Sequence, residues 1–190
     1  MELTGRINEV AVLYAELQAP IVQSVATVAP ETLTHAVAVS VGMARELGIP
    51  LFASAVELAP GAPVELISEL EGHLAHVRRT PGMLDDPGIG DAVRATSRKI
   101  LAIGGVSSEI AVLHSVLGAR RLGFEVHVLV DCCGGLSART EGAAFEQMRQ
   151  AGAVMSSVSS FFTALAPAID DEVGRVVFAG LATLWGWGTT

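Results

Sequence analysis

Short apolar runs alternate along the chain with longer stretches in which apolar positions recur at helical spacing. Residues 10–15, 50–56, 99–105 and 125–131 are apolar nearly throughout, the signature of strands buried on both faces. Residues 73–77 and 153–155 read as weaker, shorter strands. Between them, residues 31–47, 90–97, 109–122 and 141–151 carry helical spacing, with Glu31 in a first turn and Gly48 and Gly123 as stops. A Pro/Gly loop around Pro60, Gly61 and Pro63 leads to a short predicted helix at 64–70, and the apolar end of the chain reads as mostly helical. Strands alternating with helices predict an α/β fold, a parallel sheet covered by helices and joined by right-handed crossovers. In such a sheet the ligand site lies beyond the carboxyl ends of the strands. Those ends fall just after Ala15, Val56, Val77, Gly105 and Val130.

Composition narrows the function classes. The 190 residues are 51% hydrophobic, enough for a core in one domain spanning 1–190, with no repeat or interdomain linker. Twelve basic residues against twenty acidic ones give a net charge of −8, with no basic cluster, which argues against nucleic acid and anionic membranes as partners. No apolar run reaches the ~18 residues of a membrane span, and the first residues lack the apolar stretch of a signal peptide. The two cysteines, Cys132 and Cys133, are neighbours and make no disulfide framework, so a cytoplasmic location is expected. Lys99 is the sole lysine, and it precedes its strand, so a cation at the site must be an arginine.

Each strand end offers chemistry. Glu16 follows the first strand, in Glu16-Leu17-Gln18, where an acid meets low dielectric and becomes a candidate general acid or base. Arg78 and Arg79 follow the third; side chains alternate on a strand, so one of the two faces a given site. Gly104 and Gly105 end the fourth and allow close backbone approach, and the next helix opens at Ser107–Ser108 with free N–H groups suited to an anion. Ser108 also fits the role of N-cap. Asp131 can organise the loop after the fifth strand, and His114, one turn beyond Ala111, can approach the site or simply pack. No metal-ligand spacing or phosphate fingerprint is present, and no cofactor is expected.

These strand ends resemble the isochorismatase-like hydrolase family. The resemblance is strongest over residues 100–153, through Gly105-Val106-Ser107-Ser108-Glu109-Ile110-Ala111-Val112, Val130-Asp131-Cys132-Cys133-Gly134-Gly135 and Arg139-Thr140-Glu141. It implies a three-layer α/β/α fold with a six-stranded parallel sheet, and commonly a homo-oligomer. It also implies, in the amidase branch, a triad of aspartate, a basic residue and a cysteine nucleophile, beside a non-proline cis peptide that would fall between Ser107 and Ser108. This sequence departs from that pattern. Glu16 stands at the aspartate position, Arg79 falls nearest the basic one, and Ala111 takes the place of the cysteine. A methyl group cannot attack a carbonyl. Three readings stay open. Glu16 acts as acid or base on a small organic metabolite without a covalent intermediate, as in vinyl-ether-cleaving members of the family, with Arg79 orienting the substrate and Gln18, Ser107, Ser108, Ala111 and His114 lining its site. Alternatively, the chain is a non-catalytic homologue that binds a ligand or assembles. In the third, Cys132 or Cys133 has taken over as nucleophile. The apolar tail at 167–190 is expected to pack on the core or on a neighbouring subunit.

Overall fold

The computed structural model describes residues 2–187; the last three positions of the 167–190 tail lie outside them. Six parallel strands form one sheet in the order β3-β2-β1-β4-β5-β6, with β1 Val10–Ala15, β2 Leu51–Ala55, β3 Ala75–Val77, β4 Ile100–Val106, β5 Glu125–Gly134 and β6 Val154–Ser156. The helices are α1 Ala19–Val22, α2 Pro30–Glu46, α3 Pro87–Ala95, α4 Leu113–Arg121, α5 Ala138–Gln150, α6 Val158–Leu165 and α7 Glu172–Leu184. The order reverses at β1, from which the chain builds outward first through β2 and β3 and later through β4, β5 and β6. The switch point therefore lies between β1 and β4, whose ladder runs from Val10↔Ile100 to Ala15↔Gly105.

Two apolar layers cover the sheet, as its all-buried central strands require. Val10, Val12 and Tyr14 point to one face, where they pack with Leu33 and Val37 of α2, Phe161 and Phe162 of α6 and Val177 of α7. Ala11, Leu13 and Ala15 point to the other, against Val93 of α3, Val116 of α4 and Met148 of α5. The tail expected to be apolar packs within its own chain: α7 lies on α2, and Gly180 sits so close to Met43 that a Cβ would come within 2.6 Å of that side chain.

Local signals explain most departures from the expected boundaries. Asp86 accepts a hydrogen bond from Gly88 N and Pro87 occupies the first turn, so α3 starts three residues before the expected position. Ser137 caps α5 in the same way, so that helix starts at Ala138, three residues ahead of Glu141. The predicted helix at 64–70 is only a 3-10 turn at Ser68–Leu70, in a stretch rich in turn residues. Strand β5 runs on past its expected end at Asp131, through Cys132 and Cys133 to Gly134, because Cys133 and Gly134 still pair with Gly105 and Val106.

Candidate active site

The end of β1 is built around Glu16. Its amide still donates to Ser54 O at 2.9 Å in the ladder, but its φ of +54° turns the chain out of the sheet. A non-glycine residue in that region costs roughly 1–2 kcal/mol, so local strain is concentrated on this one acidic residue. Gln18 fixes the exit. It is 2% exposed, its Nε2 donates to Val56 O at 3.0 Å, and its Oε1 accepts from Val56 N at 2.8 Å. Gln18 thus clamps the ends of β1 and β2 together and, through the backbone, holds the exit of the chain at Glu16.

The cation of the site is Arg78. Its backbone N–H donates to Ala55 O at 3.0 Å, extending the β2–β3 ladder by one bond, and strand alternation then turns its side chain inward and leaves Arg79 exposed. The expectation for Arg79 is corrected on this point. The guanidinium is 2% exposed as a side chain and pairs with Glu16 Oε1. Its remaining nitrogens donate to Thr80 O and, at 3.4 Å, to Ser54 Oγ. Burial draws the Arg78 guanidinium below its ordinary value, and the charge of Asp86 opposes that; an arginine so placed remains a cation.

The glycine pair of β4 brings the third strand end against the first. A Cβ on Gly105, whose φ is +134°, would lie 2.2 Å from Ala15 O, and one on Gly104 would lie 3.0 Å from the Tyr14 ring. The non-proline cis peptide is present, but between Val106 and Ser107, one residue before its expected place, since β4 runs as far as Val106. A π-type first turn, Ser108–Val112, then leads directly into α4. Ser107 stands at the N-cap without a side-chain cap, and its Oγ is buried with no hydrogen-bond partner among the described residues. Ser108 is not the cap: its Oγ donates to Glu141 Oε1 at 2.8 Å. Glu109 ties the same turn to the start of α5, accepting at Oε1 from Leu136 N at 2.9 Å and Thr140 Oγ1 at 2.7 Å. Burial works to raise the Glu109 carboxyl, and these hydrogen bonds outweigh it and hold it below the ordinary value.

Ala111 is fully buried, in the apolar layer that also contains Ala15, Leu13 and Met83. Its carbonyl accepts from Ser115 Oγ at 2.6 Å, and the same Oγ accepts from Met83 N at 2.9 Å. That relay seats the loop after β3 on the helix after β4, as does Gly82, where a Cβ would lie 2.7 Å from His114 O. The His114 side chain is exposed, so only its backbone belongs to this junction. Cys132 and Cys133 are buried, and burial pushes both thiols away from the thiolate range, which argues against either as the nucleophile. Cys132 Sγ accepts from Tyr14 OH at 3.7 Å and Cys133 Sγ donates to Leu129 O at 3.2 Å.

A groove of about 310 Å³ is lined by Gln18, Ala19, Pro20, Leu58, Pro63, Glu65 and Leu66, with Gln18 its link to the end of β1. Among the described residues no group of three or more His, Cys, Asp or Glu side chains is placed to hold a metal ion. Of the groups that sequence reasoning passed over, Arg78 was visible as one of an alternating pair. Glu109 and Glu141 stand in the stretches that carry the resemblance, but their pairing with Leu136, Thr140 and Ser108 carried no signal, since those partners lie about 30 residues away in sequence.

The architecture has counterparts among known proteins. The isochorismatase domain model matches residues 43–160. The chain belongs to the isochorismatase family. Its sequence is 30% identical over 153 residues to the "Probable hydrolase YcaC" of Escherichia coli, covering 77% of this chain and 72% of that protein. The structure of the YcaC gene product from Escherichia coli, described as an octameric hydrolase of unknown specificity, superposes with a TM-score of 0.82 at 27% identity. That match covers 96% of this chain and 89% of the other. YcaC from Pseudomonas aeruginosa, solved with hexane-2,5-diol and covalent acrylamide, gives a TM-score of 0.83 at 25% identity over 95% and 93% of the two chains. As an isochorismatase-family chain related to hydrolases, it carries Ala111 in the helical turn where the resemblance places the nucleophilic cysteine.

Proposed function

We propose that this isochorismatase-family protein is a hydrolase-like enzyme that acts on a small organic metabolite without a covalent enzyme intermediate. The observation that carries the reading is Glu16: a strained, non-glycine residue at the end of β1 whose carboxylate meets the buried guanidinium of Arg78. Backbone strain of this kind gathers at functional sites. Glu16, paired with the Arg78 guanidinium, serves as the proton acceptor, the base of the acid-or-base role expected of it. It takes a proton from water as the water oxygen attacks an electrophilic carbon of the substrate, and returns it to the leaving group. The Ser107 hydroxyl, buried and unpartnered, and the first N–H groups of the segment running from Ser108 into α4 supply donors for the negative charge that develops. Arg78 positions the carboxylate. The Gln18-lined groove gives a small substrate its approach.

A second reading has its own observation. All three guanidinium nitrogens of Arg78 have partners inside the chain, and Ala111 is sealed in the apolar layer. A site so closed suits a protein that binds a ligand, or assembles, without turnover. Incubation with amides, esters and vinyl ethers of small acids, followed by mass spectrometry, separates the two. Conversion that survives in both Cys132→Ala and Cys133→Ala is the expected result. Ligands that raise the unfolding temperature and return unchanged favour the second reading, and conversion abolished in either folded cysteine variant overturns both. We further propose a homo-oligomer, on the strength of the octameric relative; sedimentation velocity tests it, and a monomer at micromolar concentration contradicts it.

A further inference from the structure

A second cavity, of about 580 Å³, opens on the α2–α6–α7 side of the sheet. Thr32, His35 and Ala36 reach it from the first turns of α2, Ser157 and Ser159 from the start of α6, and Leu184 and Trp185 from the end of α7. Asp131 of β5 completes it. The size falls within the ~300–1,000 Å³ of small-molecule sites. Trp185 is 58% exposed, yet its ring is held in place: Nε1 donates to Ser159 Oγ at 3.2 Å, and the Trp187 ring packs on it with centroids 5.3 Å apart.

Asp131 gives the cavity its sign. Both carboxylate oxygens accept from Val158 N, at 2.9 and 3.0 Å, which anchors the start of α6. No basic side chain lies within ion-pairing distance of Asp131 among the described residues, and no lysine or arginine lines the cavity. Burial raises the Asp131 carboxyl, the mark of a charge short of counter-charge. The α6 N-terminus offsets part of that charge, and the carboxyl end of α7, with Trp185 as its cap residue, adds negative potential of its own.

We propose that this cavity binds a small organic cation, a primary ammonium on an apolar or aromatic body. The ammonium faces Asp131 and the Thr32 and Ser157 hydroxyls, while the body lies against Trp185, Leu184, Ala36 and Val28. The indole face adds cation–π attraction. Carboxylate ligands are excluded by the same charge. The site is separate from Glu16 and Arg78, so the inference stands whether or not the proposed chemistry does.

The two tryptophans of the chain are Trp185 and Trp187, so intrinsic fluorescence reports on this cavity. The test is a titration of the full chain with 2-phenylethylamine, 2-phenylethanol and 3-phenylpropionate at constant ionic strength. A saturable change with the amine is expected, at least tenfold tighter than with the alcohol and absent with the acid. It should weaken at least tenfold in Asp131→Asn, which keeps an acceptor for Val158 N, and in Trp187→Phe/Trp185→Leu when followed by calorimetry. Equal response to all three probes, or none, overturns the proposal. So does a sedimentation profile in which the amine leaves a pre-existing oligomer intact and fluorescence unchanged, since a second copy then fills the cavity.

Discussion

At the scale of single residues, the site turns on which of two adjacent arginines faces inward. Residue order alone named the pair; the register of β3 against β2, through Val77↔Ala55, selects Arg78. Removing one partner of a buried ion pair leaves the other charge without compensation, at a cost of about 3 kcal/mol. Arg78→Ala is therefore expected to lower stability by about that amount, while exposed Arg79→Ala stays within about 0.5 kcal/mol of wild type, both by urea denaturation. The reverse ranking would restore Arg79 to the site. Glu16 and Ala111 were legible as departures from the family pattern, because the motif around them fixes their positions. The roles of Gln18 and Ser108 were not. Their side chains are taken up by Val56 and Glu141, 38 and 33 residues away, and no local pattern announces such pairings. For the cysteines, burial predicts that iodoacetamide modifies the native protein at pH 7.5 far more slowly than the unfolded chain, about 100-fold or more; one fast thiol would revive the third reading.

At the scale of elements, strand runs and helix stops were readable because the sheet is buried on both faces and its central strands are apolar throughout. Boundaries failed where a cap outweighs the apolar pattern, at Asp86 and Ser137, and where β5 continues past the acidic Asp131. The glycine pair after β4 was visible, and its physical cause is the approach of Ala15. Gly105→Ala should therefore cost roughly 3 kcal/mol or more, since a backbone clash adds to a φ of +134°. Gly48→Ala shares only the positive φ, +64° with open space around it, and should cost about 1 kcal/mol. Equal denaturation midpoints for the two variants would contradict the close approach of β1 and β4.

At the scale of the molecule, one buried imidazole, His127, and one half-buried imidazole, His73, tie the fold's stability to pH. Burial lowers His127, against a weaker opposing hydrogen bond and charge from Glu125, and burial with the charge of Arg45 lowers His73. A base held below its ordinary value takes up its proton first in the unfolded chain. Stability is thus full above the ordinary histidine value of ~6.5 and falls as pH drops through and below it. The unfolding temperature should decline between about pH 7.5 and 5.5, and His127→Gln should flatten that decline; an unchanged slope would exclude His127. The parallel sheet and its strand ends were legible in advance, the strand order that sets the switch point was not, and the absent thiol left the chemistry to be decided by geometry. The most direct test is therefore the turnover of one converted substrate by wild type and Glu16→Gln. The account predicts a loss of at least about 100-fold in kcat with ligand binding retained, because the variant keeps the shape and loses the base. Turnover at the wild-type rate in Glu16→Gln would contradict it.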